Sequence, residues 1–282
     1  MSNVSIVTDS TASIPEELIK EYDISLVPQV LIWGEETFED GVDIQPKEFY
    51  DRLAVAEEMP TTSQVTPKSF QKIFDELLAK DKEILAILIS QPLSGTIASA
   101  LQVQETMPEK KIEIFDSQSV SLALGFQVLA AAKAAKEGAS VEECRQMAEK
   151  ARDRTGVVFA VDTLEFLHRG GRIGGAKRLM GTALRIKPIL EIVDGKIDAV
   201  ESVRTRKKSL NRVIEIIHER TKGKSPLRLG ALHANSPDVA QMLLDVACTK
   251  LNPDEKIFTE ISPVLGTHAG PGTVGLAYMV EM

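Results

Sequence analysis

Short apolar runs alternate with amphipathic stretches through the first half of the chain. VSIVT (4–8), ILAILIS (84–90) and KIEIF (111–115) are predicted to be buried strands, and ISLVPQVLIW (24–33) is predicted to be a further strand. A near-continuous apolar run is typical of a strand that is covered on both faces. Helices are predicted over residues 14–22, 46–56, 67–80, 94–107 and 119–138. This alternation indicates βαβ units and therefore a parallel sheet with helices on both sides.

Helix-capping residues support two of the predicted helices. Ser13 is predicted to be the N-cap of the first helix, with Pro15 in its first turn. Ser140 and Glu143 have the spacing of a capping box, so we expect a helix to begin at Ser140.

The pattern changes in the second half of the chain. A strand at 156–162 is followed by a glycine-rich helical region and then by ILEIVDGKIDAVESV (189–203), a predicted hairpin that turns at Asp194–Gly195. Hairpins mixed with helices favour a mixed sheet. The predicted fold is therefore α/β. A three-layer α/β/α domain with a mainly parallel sheet spans residues 1–154, and an α/β domain with a mixed sheet spans residues 155–282, with a ligand between them.

Composition excludes some classes of function. The chain has 282 residues and a net charge of −8, and its aromatic content is 5%. A nucleic-acid-binding protein needs basic surface for the phosphates and often aromatic rings for the bases, so we expect no nucleic-acid partner. One stretch differs, because residues 168–212 contain twelve Lys or Arg and four Asp or Glu. That stretch is either an ordinary solvated face or a surface for an anionic partner.

The expected location is the cytoplasm. No apolar run is long enough to span a membrane, and the start MSNVSIVTDS has no signal-peptide pattern. Cys144 and Cys248 are predicted to be reduced thiols, and their separation is unsuited to a compact thiolate metal site. We therefore expect neither a metal nor a cofactor.

Three hydroxyl-rich segments are predicted to meet at one edge of the parallel sheet. They are TDSTAS (8–13), PTTSQVTP (60–67) and SQPLSGT (90–96). Ligands of such sheets bind beyond the carboxyl ends of the strands. Each segment taken singly is typical of turns and caps. Together they indicate an anion site, where Gly95 offers an N–H group at a helix start.

The segment GTHAGPGTVG (266–275) is predicted to be a glycine-rich loop that contains His268. Ser94 and His268 are candidates for the nucleophile and base of a hydrolase, with Asp9 or Asp116 behind the histidine. The G-x-S-x-G elbow is absent, however. Nucleotide binding is also weakly supported, because the P-loop and the strand–G-x-G-x-x-G–helix arrangement are missing.

Six motifs in order resemble the DegV family: VTDSTAS, TTSQ (61–64), SQPLSGT, IFDS (114–117), LHRGGRI (167–173) and GTHAGPGTVG. The resemblance extends over essentially the whole chain. It implies a two-domain α/β protein that encloses a fatty acid such as palmitate or oleate. It also implies that the chain is itself no enzyme and is the lipid-binding subunit of a two-component fatty acid kinase, whose separate ATP-binding subunit phosphorylates the carboxylate.

The resemblance also implies the site residues. Thr62, Ser94 and His268 match the carboxylate-binding positions of the family, and Arg172 is similar to an arginine near the same end of the ligand. Ile97 stands where many members carry an aromatic residue, which predicts a different pocket shape. The basic residues Arg204, Arg206 and Lys207 are predicted to dock the kinase subunit or to contact an anionic membrane briefly.

Overall fold

Four parallel strands form the first sheet, as predicted. The computed structural model describes residues 3–181 and 186–282. The strands of the first half are β1 (Val4–Asp9), β2 (Ser25–Val27), β3 (Val30–Trp33), β4 (Glu36–Glu39), β5 (Thr61–Ser63), β6 (Glu83–Leu88) and β7 (Ile112–Asp116). The helices are α1 (Glu16–Glu21), α2 (Pro46–Leu53), α3 (Pro67–Leu78), α4 (Thr96–Glu105), α5 (Ser121–Lys136) and α6 (Val141–Arg152). The order β2-β1-β6-β7 gives the parallel sheet.

Alternate residues of the central strand β6 pack on opposite helical layers. Ile84, Ala86 and Leu88 belong to an apolar cluster with α3 and α4. Leu85 and Ile87 belong to a cluster with α5 and α6. Because successive strand residues point to opposite faces, an uninterrupted apolar run is required here. The predicted three-layer α/β/α arrangement is confirmed.

Two local predictions in the first half were wrong. Residues 24–33 do not form one strand, because Pro28 separates β2, in the parallel sheet, from β3, in a small antiparallel sheet of order β4-β3-β5. Proline lacks the N–H that a continuous strand would use. Ser13 does not cap α1: it has a left-handed backbone with φ of 53°, and Pro15 occupies the N-cap position. The capping box of Ser140 and Glu143 is confirmed.

The second half forms the predicted mixed sheet. Its strands are β8 (Thr155–Ala160), β9 (Lys187–Val193), β10 (Lys196–Val203), β11 (Leu227–His233), β12 (Glu255–Glu260) and β13 (Val274–Val280). Its helices are α7 (Glu165–Arg169), α8 (Arg206–Thr221), α9 (Pro237–Leu251) and α10 (Pro263–Ala269), with a 3-10 helix at Gly174–Leu179. The strand order is β10-β9-β8-β13-β11-β12, and only β11 and β12 are parallel.

The hairpin between β9 and β10 turns at Asp194–Gly195, as predicted, and both turn residues have positive φ. The glycine-rich region before it was predicted to be helical, and residues 182–185 of that region lie outside the described residues. Within the described ranges, no helix is long and apolar enough to cross a bilayer.

The largest apolar cluster joins the two halves of the chain. One face of the mixed sheet packs on α8 and α9. Its other face packs on α5 and on aromatic residues near β3 and α2, which belong to the first half. The division at 154/155 stays a prediction, and the space between the two sheets is where the cavity lies.

Candidate functional site

The main cavity lies between the inner face of the mixed sheet and the loops that follow β1 and β6. It has about 830 Å³ of unfilled space, part of which opens to solvent. Its walls are mainly apolar, with Val157 and Phe159 from β8, Ile192 and Ile197 from the β9–β10 hairpin, and Leu232 from β11. Mainly apolar walls with a few convergent polar groups are typical of a small-molecule site.

Four of the five predicted carboxylate-binding residues line this one cavity: Thr62, Ser94, Arg172 and His268. They come from β5, the loop before α4, the segment after α7, and α10. Among the described residues, Gly95 does not line the cavity. The side chain of Gln64 lies directly over its α-carbon, and Gly95 occupies the N-cap position of α4. Its predicted role as an N–H donor to the ligand stays a prediction.

His268 lies on a helix and not in the predicted loop. The segment 266–269 belongs to α10, and the glycine-rich loop begins only at Gly270. His268 Nε2 is 2.7 Å from Thr62 Oγ1, a hydrogen bond between residues 206 positions apart. TTS (61–63), predicted to be part of a loop, is the short strand β5, and its pairing with β3 fixes the position of Thr62.

The structure favours a neutral His268. Burial, and to a smaller extent the nearby positive charge of Arg172, lower its pKa from 6.5 to about 4. The Nδ1 atom is buried and has no hydrogen-bond partner among the described residues. It lies against Gly170, where a Cβ would overlap the imidazole ring. A neutral imidazole has one N–H donor and one acceptor nitrogen, so Nε2 can donate to Thr62 Oγ1 or accept from it.

Arg172 is held by backbone carbonyls from both halves of the chain. Its Nε donates to the carbonyl of Leu93 at 3.1 Å, and its Nη1 donates to the carbonyl of Gly170 at 2.7 Å. A guanidinium has five N–H donors in a fixed plane. The two bonds therefore fix its orientation and leave other donors for an anionic ligand.

Ser94 belongs to a chain of buried polar groups. Its Oγ is 2.9 Å from Thr96 Oγ1, and Gln29 Nε2 donates to Thr96 Oγ1 at 2.9 Å. A serine hydrolase requires a hydrogen bond between the serine and the histidine, whereas the hydroxyl of Ser94 contacts Thr96. Among the described contacts, His268 bonds to Thr62 rather than Ser94, and Asp9 and Asp116 bond elsewhere, so no acid stands behind the histidine.

A second cavity shares part of the same polar group. Thr62, Arg172 and His268 line both cavities, and the second one is also lined by Thr61 and Arg169. The shared polar residues therefore belong both to a mainly apolar cavity and to a second, more polar one. No cluster of three or more potential metal ligands occurs among the described residues.

The predicted docking residues begin α8. Arg204 and Lys207 are exposed. Arg206 is turned inward: it donates to the carbonyl of Gly272, and its Nη1 is 3.5 Å from Asp162. The contact with Gly272 places the start of α8 against the loop that follows α10.

Ile97 does not line the cavity. It is 4% exposed and packs in the apolar cluster between the parallel sheet and the layer of α3 and α4. The prediction that it shapes the pocket was therefore wrong, since its side chain points into the core of the first sheet.

The sequence reasoning did not single out three residues that build the site. Gly170 makes room for His268, and it could have been noticed as the first glycine of RGG in LHRGGRI. Gln29 and Asp40 are buried polar residues, at 2% exposure each, and both belong to the hydrogen-bond network around the cavity. Neither lies in a motif that would have identified it.

Comparison with known proteins agrees with this geometry. The family model described as "Uncharacterised protein, DegV family" matches residues 3–281. The chain belongs to the DegV family. It is 32% identical to Protein DegV of Bacillus subtilis, over 98% of this chain and 99% of that protein. It is 35% identical to a DegV domain-containing protein of Clostridium perfringens, over 99% of both chains.

Solved DegV-family structures share the whole fold. A DegV-family protein of Thermus thermophilus, described for its fatty acid binding, superposes with a TM-score of 0.93 at 32% identity, and 100% of both chains is covered. DegV of Bacillus subtilis, described as a fatty acid binding protein, gives a TM-score of 0.89 at 31% identity, again over 100% of both chains. Fatty acid binding is thus a property of DegV-family proteins with this fold.

Proposed function

We propose that this chain binds one long-chain fatty acid, such as palmitate or oleate, and presents its carboxylate to a separate ATP-dependent kinase subunit. The acyl chain occupies the main cavity, and the carboxylate is bound by Thr62, Ser94, Arg172 and His268. The chain supplies the bound substrate, while the partner supplies the nucleotide and the magnesium for acyl-phosphate formation.

The observation that carries the proposal is that Thr62, Arg172 and His268 line both a mainly apolar cavity and a second, more polar cavity. A buried carboxylate must be paired or hydrogen-bonded, because an isolated one costs many kcal/mol. A guanidinium, two hydroxyls and an imidazole meet that requirement. The tail needs only the apolar walls.

The energetics of the tail fit long-chain acids. Removing each methylene from water contributes ~0.8 kcal/mol, so a sixteen-carbon acid has roughly 11 kcal/mol of gross burial available. Immobilising the ligand offsets part of this gain. The tail therefore supplies most of the affinity, and the carboxylate contacts orient the ligand and add preference for the acid.

The second cavity supports the kinase part of the proposal. It is lined by Thr62, Arg172 and His268, so a phosphoryl donor that enters it would reach the proposed carboxylate-binding residues. In-line transfer requires access to the attacking oxygen. Arg169 also lines this cavity and is paired with Glu165.

Native mass spectrometry of the protein as purified, followed by organic extraction, tests the binding part. One equivalent of a long-chain fatty acid bound to the purified protein supports the proposal. A ligand-free protein that also fails to bind added palmitate and oleate contradicts it. Ester hydrolysis by the isolated chain, abolished in Ser94→Ala, would favour the hydrolase alternative.

The kinase part is tested separately at the start of α8. Reversing Arg204 and Lys207 to Glu should weaken acyl-phosphate formation with the ATP-binding subunit and leave fatty acid binding intact. The matched control reverses Lys222 and Lys224, two exposed lysines after the other end of α8. Equal rates of acyl-phosphate formation in the two double variants would count against docking of the kinase subunit at the start of α8. Anionic vesicles distinguish a membrane contact from a protein contact.

A further inference from the structure

Asp40 is a buried carboxylate that connects three distant parts of the chain. It follows β4 and is 2% exposed. Its Oδ2 accepts a hydrogen bond from Ser10 Oγ at 2.6 Å, and its Oδ1 accepts one from the backbone N–H of Val264 at 3.1 Å. Burying a carboxylate costs free energy, so the position of Asp40 at this junction suggests that it has a specific role.

The first connection leads from Asp40 to His268. Ser262 is the N-cap of α10, yet its side chain makes no capping bond to the helix. Asp40 instead accepts from Val264, in the first turn of that helix. His268 lies in the last turn. Asp40 thus fixes the helix that carries the imidazole.

The small antiparallel sheet provides a further link between Asp40 and His268. β4, which ends next to Asp40, pairs with β3, and β3 pairs with β5. β5 carries Thr62, whose Oγ1 meets His268 Nε2 at 2.7 Å. Asp40 therefore ties the sheet that carries Thr62 to the helix that carries His268.

The second connection leads from Asp40 to Ser94. Ser10 Oγ, which donates to Asp40, accepts from the backbone N–H of Gln29 at 3.1 Å. Gln29 Nε2 donates to Thr96 Oγ1 at 2.9 Å, and Thr96 Oγ1 is 2.9 Å from Ser94 Oγ. Every link is a hydrogen bond of ordinary length, and the last residue lines the cavity.

We propose that Asp40 is a positioning residue of the carboxylate site, which sets His268 through α10 and Ser94 through Ser10 and Gln29. This inference rests on the proposed fatty acid function. Asp40 does not line the cavity among the described residues, and it acts through the two connections alone. Removing it should therefore disturb recognition of the carboxylate and leave the apolar walls in place.

The test compares two ligands with the same tail in wild type, Asp40→Ala and Asp40→Asn. Displacement of a fluorescent fatty-acid probe gives the affinity for palmitate and for 1-hexadecanol. We expect Asp40→Ala to weaken palmitate binding by about tenfold or more, as for a lost hydrogen bond to a charged group. Binding of the alcohol should change by less than about threefold. Asp40→Asn keeps an acceptor for Val264 but perturbs Ser10, so its acid selectivity should lie in between.

The control is Ser140→Ala, which removes a helix cap of α6 far from the cavity. It should lower the unfolding temperature and leave the ratio of the two affinities unchanged. Equal losses for acid and alcohol in Asp40→Ala would mean a merely structural role and would overturn the proposal. If Asp40→Ala does not fold, the test rests on Asp40→Asn. A ratio of palmitate to hexadecanol affinity in Asp40→Asn equal to that of wild type would also overturn the proposal.

Failure of the proposed function gives a different result. A wild-type protein that binds neither ligand, or that binds the alcohol as tightly as the acid, contradicts the carboxylate site itself. A selective wild type with an equally selective Asp40→Asn contradicts only the role of Asp40.

Discussion

Lowering the pH should destabilise the ligand-free protein through His268. The imidazole is held between Thr62 and Gly170, and burial together with the charge of Arg172 lowers its pKa from 6.5 to about 4. The charged form is therefore disfavoured in the folded state. The unfolded chain has no such restriction.

The sign and size follow from linkage. Above pH 6.5 His268 is neutral in both states and contributes nothing. As the pH falls from 6.5 towards 4, the unfolded state binds a proton that the folded state does not, so the free energy of unfolding decreases. At about 1.4 kcal/mol per pKa unit, the full loss below pH 4 is roughly 3 kcal/mol, and roughly 2 kcal/mol is lost at pH 5.

Urea unfolding at pH 7.5 and pH 5 measures this loss in wild type and in His268→Gln. The difference between the two proteins isolates His268, which is necessary because other buried groups titrate too. Burial raises the pKa of Asp9 and of Asp40, and these carboxylates favour folding as the pH falls. Wild type should lose roughly 2 kcal/mol more than His268→Gln between the two pH values.

NMR titration of the His268 imidazole gives the direct check. A midpoint near 6.5 in the ligand-free protein would refute the assignment of a buried neutral ring. Bound fatty acid should raise the pKa, because a carboxylate beside the ring stabilises the imidazolium. An unchanged midpoint with ligand bound would place the carboxylate away from His268.

Three further changes are predicted from the same geometry. Thr62→Ala removes a hydroxyl that bonds to His268 and lines the cavity, so fatty acid affinity should fall about tenfold in a displacement assay. The control Thr61→Ala, at the exposed neighbouring residue, should have little effect on this affinity. Gly170→Ala places a methyl group onto the imidazole ring; it should cost about 1–3 kcal/mol by urea unfolding and shift the NMR signals of His268. Ser140→Ala breaks the capping box of α6 and should cost about 1 kcal/mol without changing ligand binding.

The alternation of apolar runs predicted the parallel sheet because each central strand is buried on both faces. β6 is the clearest case, since its residues pack on α3 and α4 on one side and on α5 and α6 on the other. The same reasoning failed at α10. Its sequence PVLGTHA is short and contains a glycine, and the helix exists because Pro263 begins it and Asp40, 224 residues from Val264, accepts an N–H of its first turn.

The site residues could be predicted singly but not as an arrangement. Thr62, Ser94, Arg172 and His268 came from motifs that resemble the DegV family, whereas the bond between Thr62 and His268 depends on how β5 and α10 pack. Asp40 carries no local signal at all, because its role depends on two partners, Ser10 and Val264, that are remote in sequence. Long-range polar contacts of this kind are not encoded in hydrophobic periodicity.

Under the proposed function, ligand binding and contact between the two halves of the chain are coupled. Thr62 and Ser94 precede residue 155, Arg172 and His268 follow it, and a carboxylate bound by all four bridges the halves. Arg172 already bonds to the carbonyl of Leu93, and Ser90 Oγ donates to the carbonyl of Gly195 at 2.7 Å. A ligand that binds only the closed arrangement stabilises it by about 4 kcal/mol at a thousand times its Kd. We therefore predict that a fatty acid bound as proposed strengthens these contacts between the halves and that its release requires them to loosen.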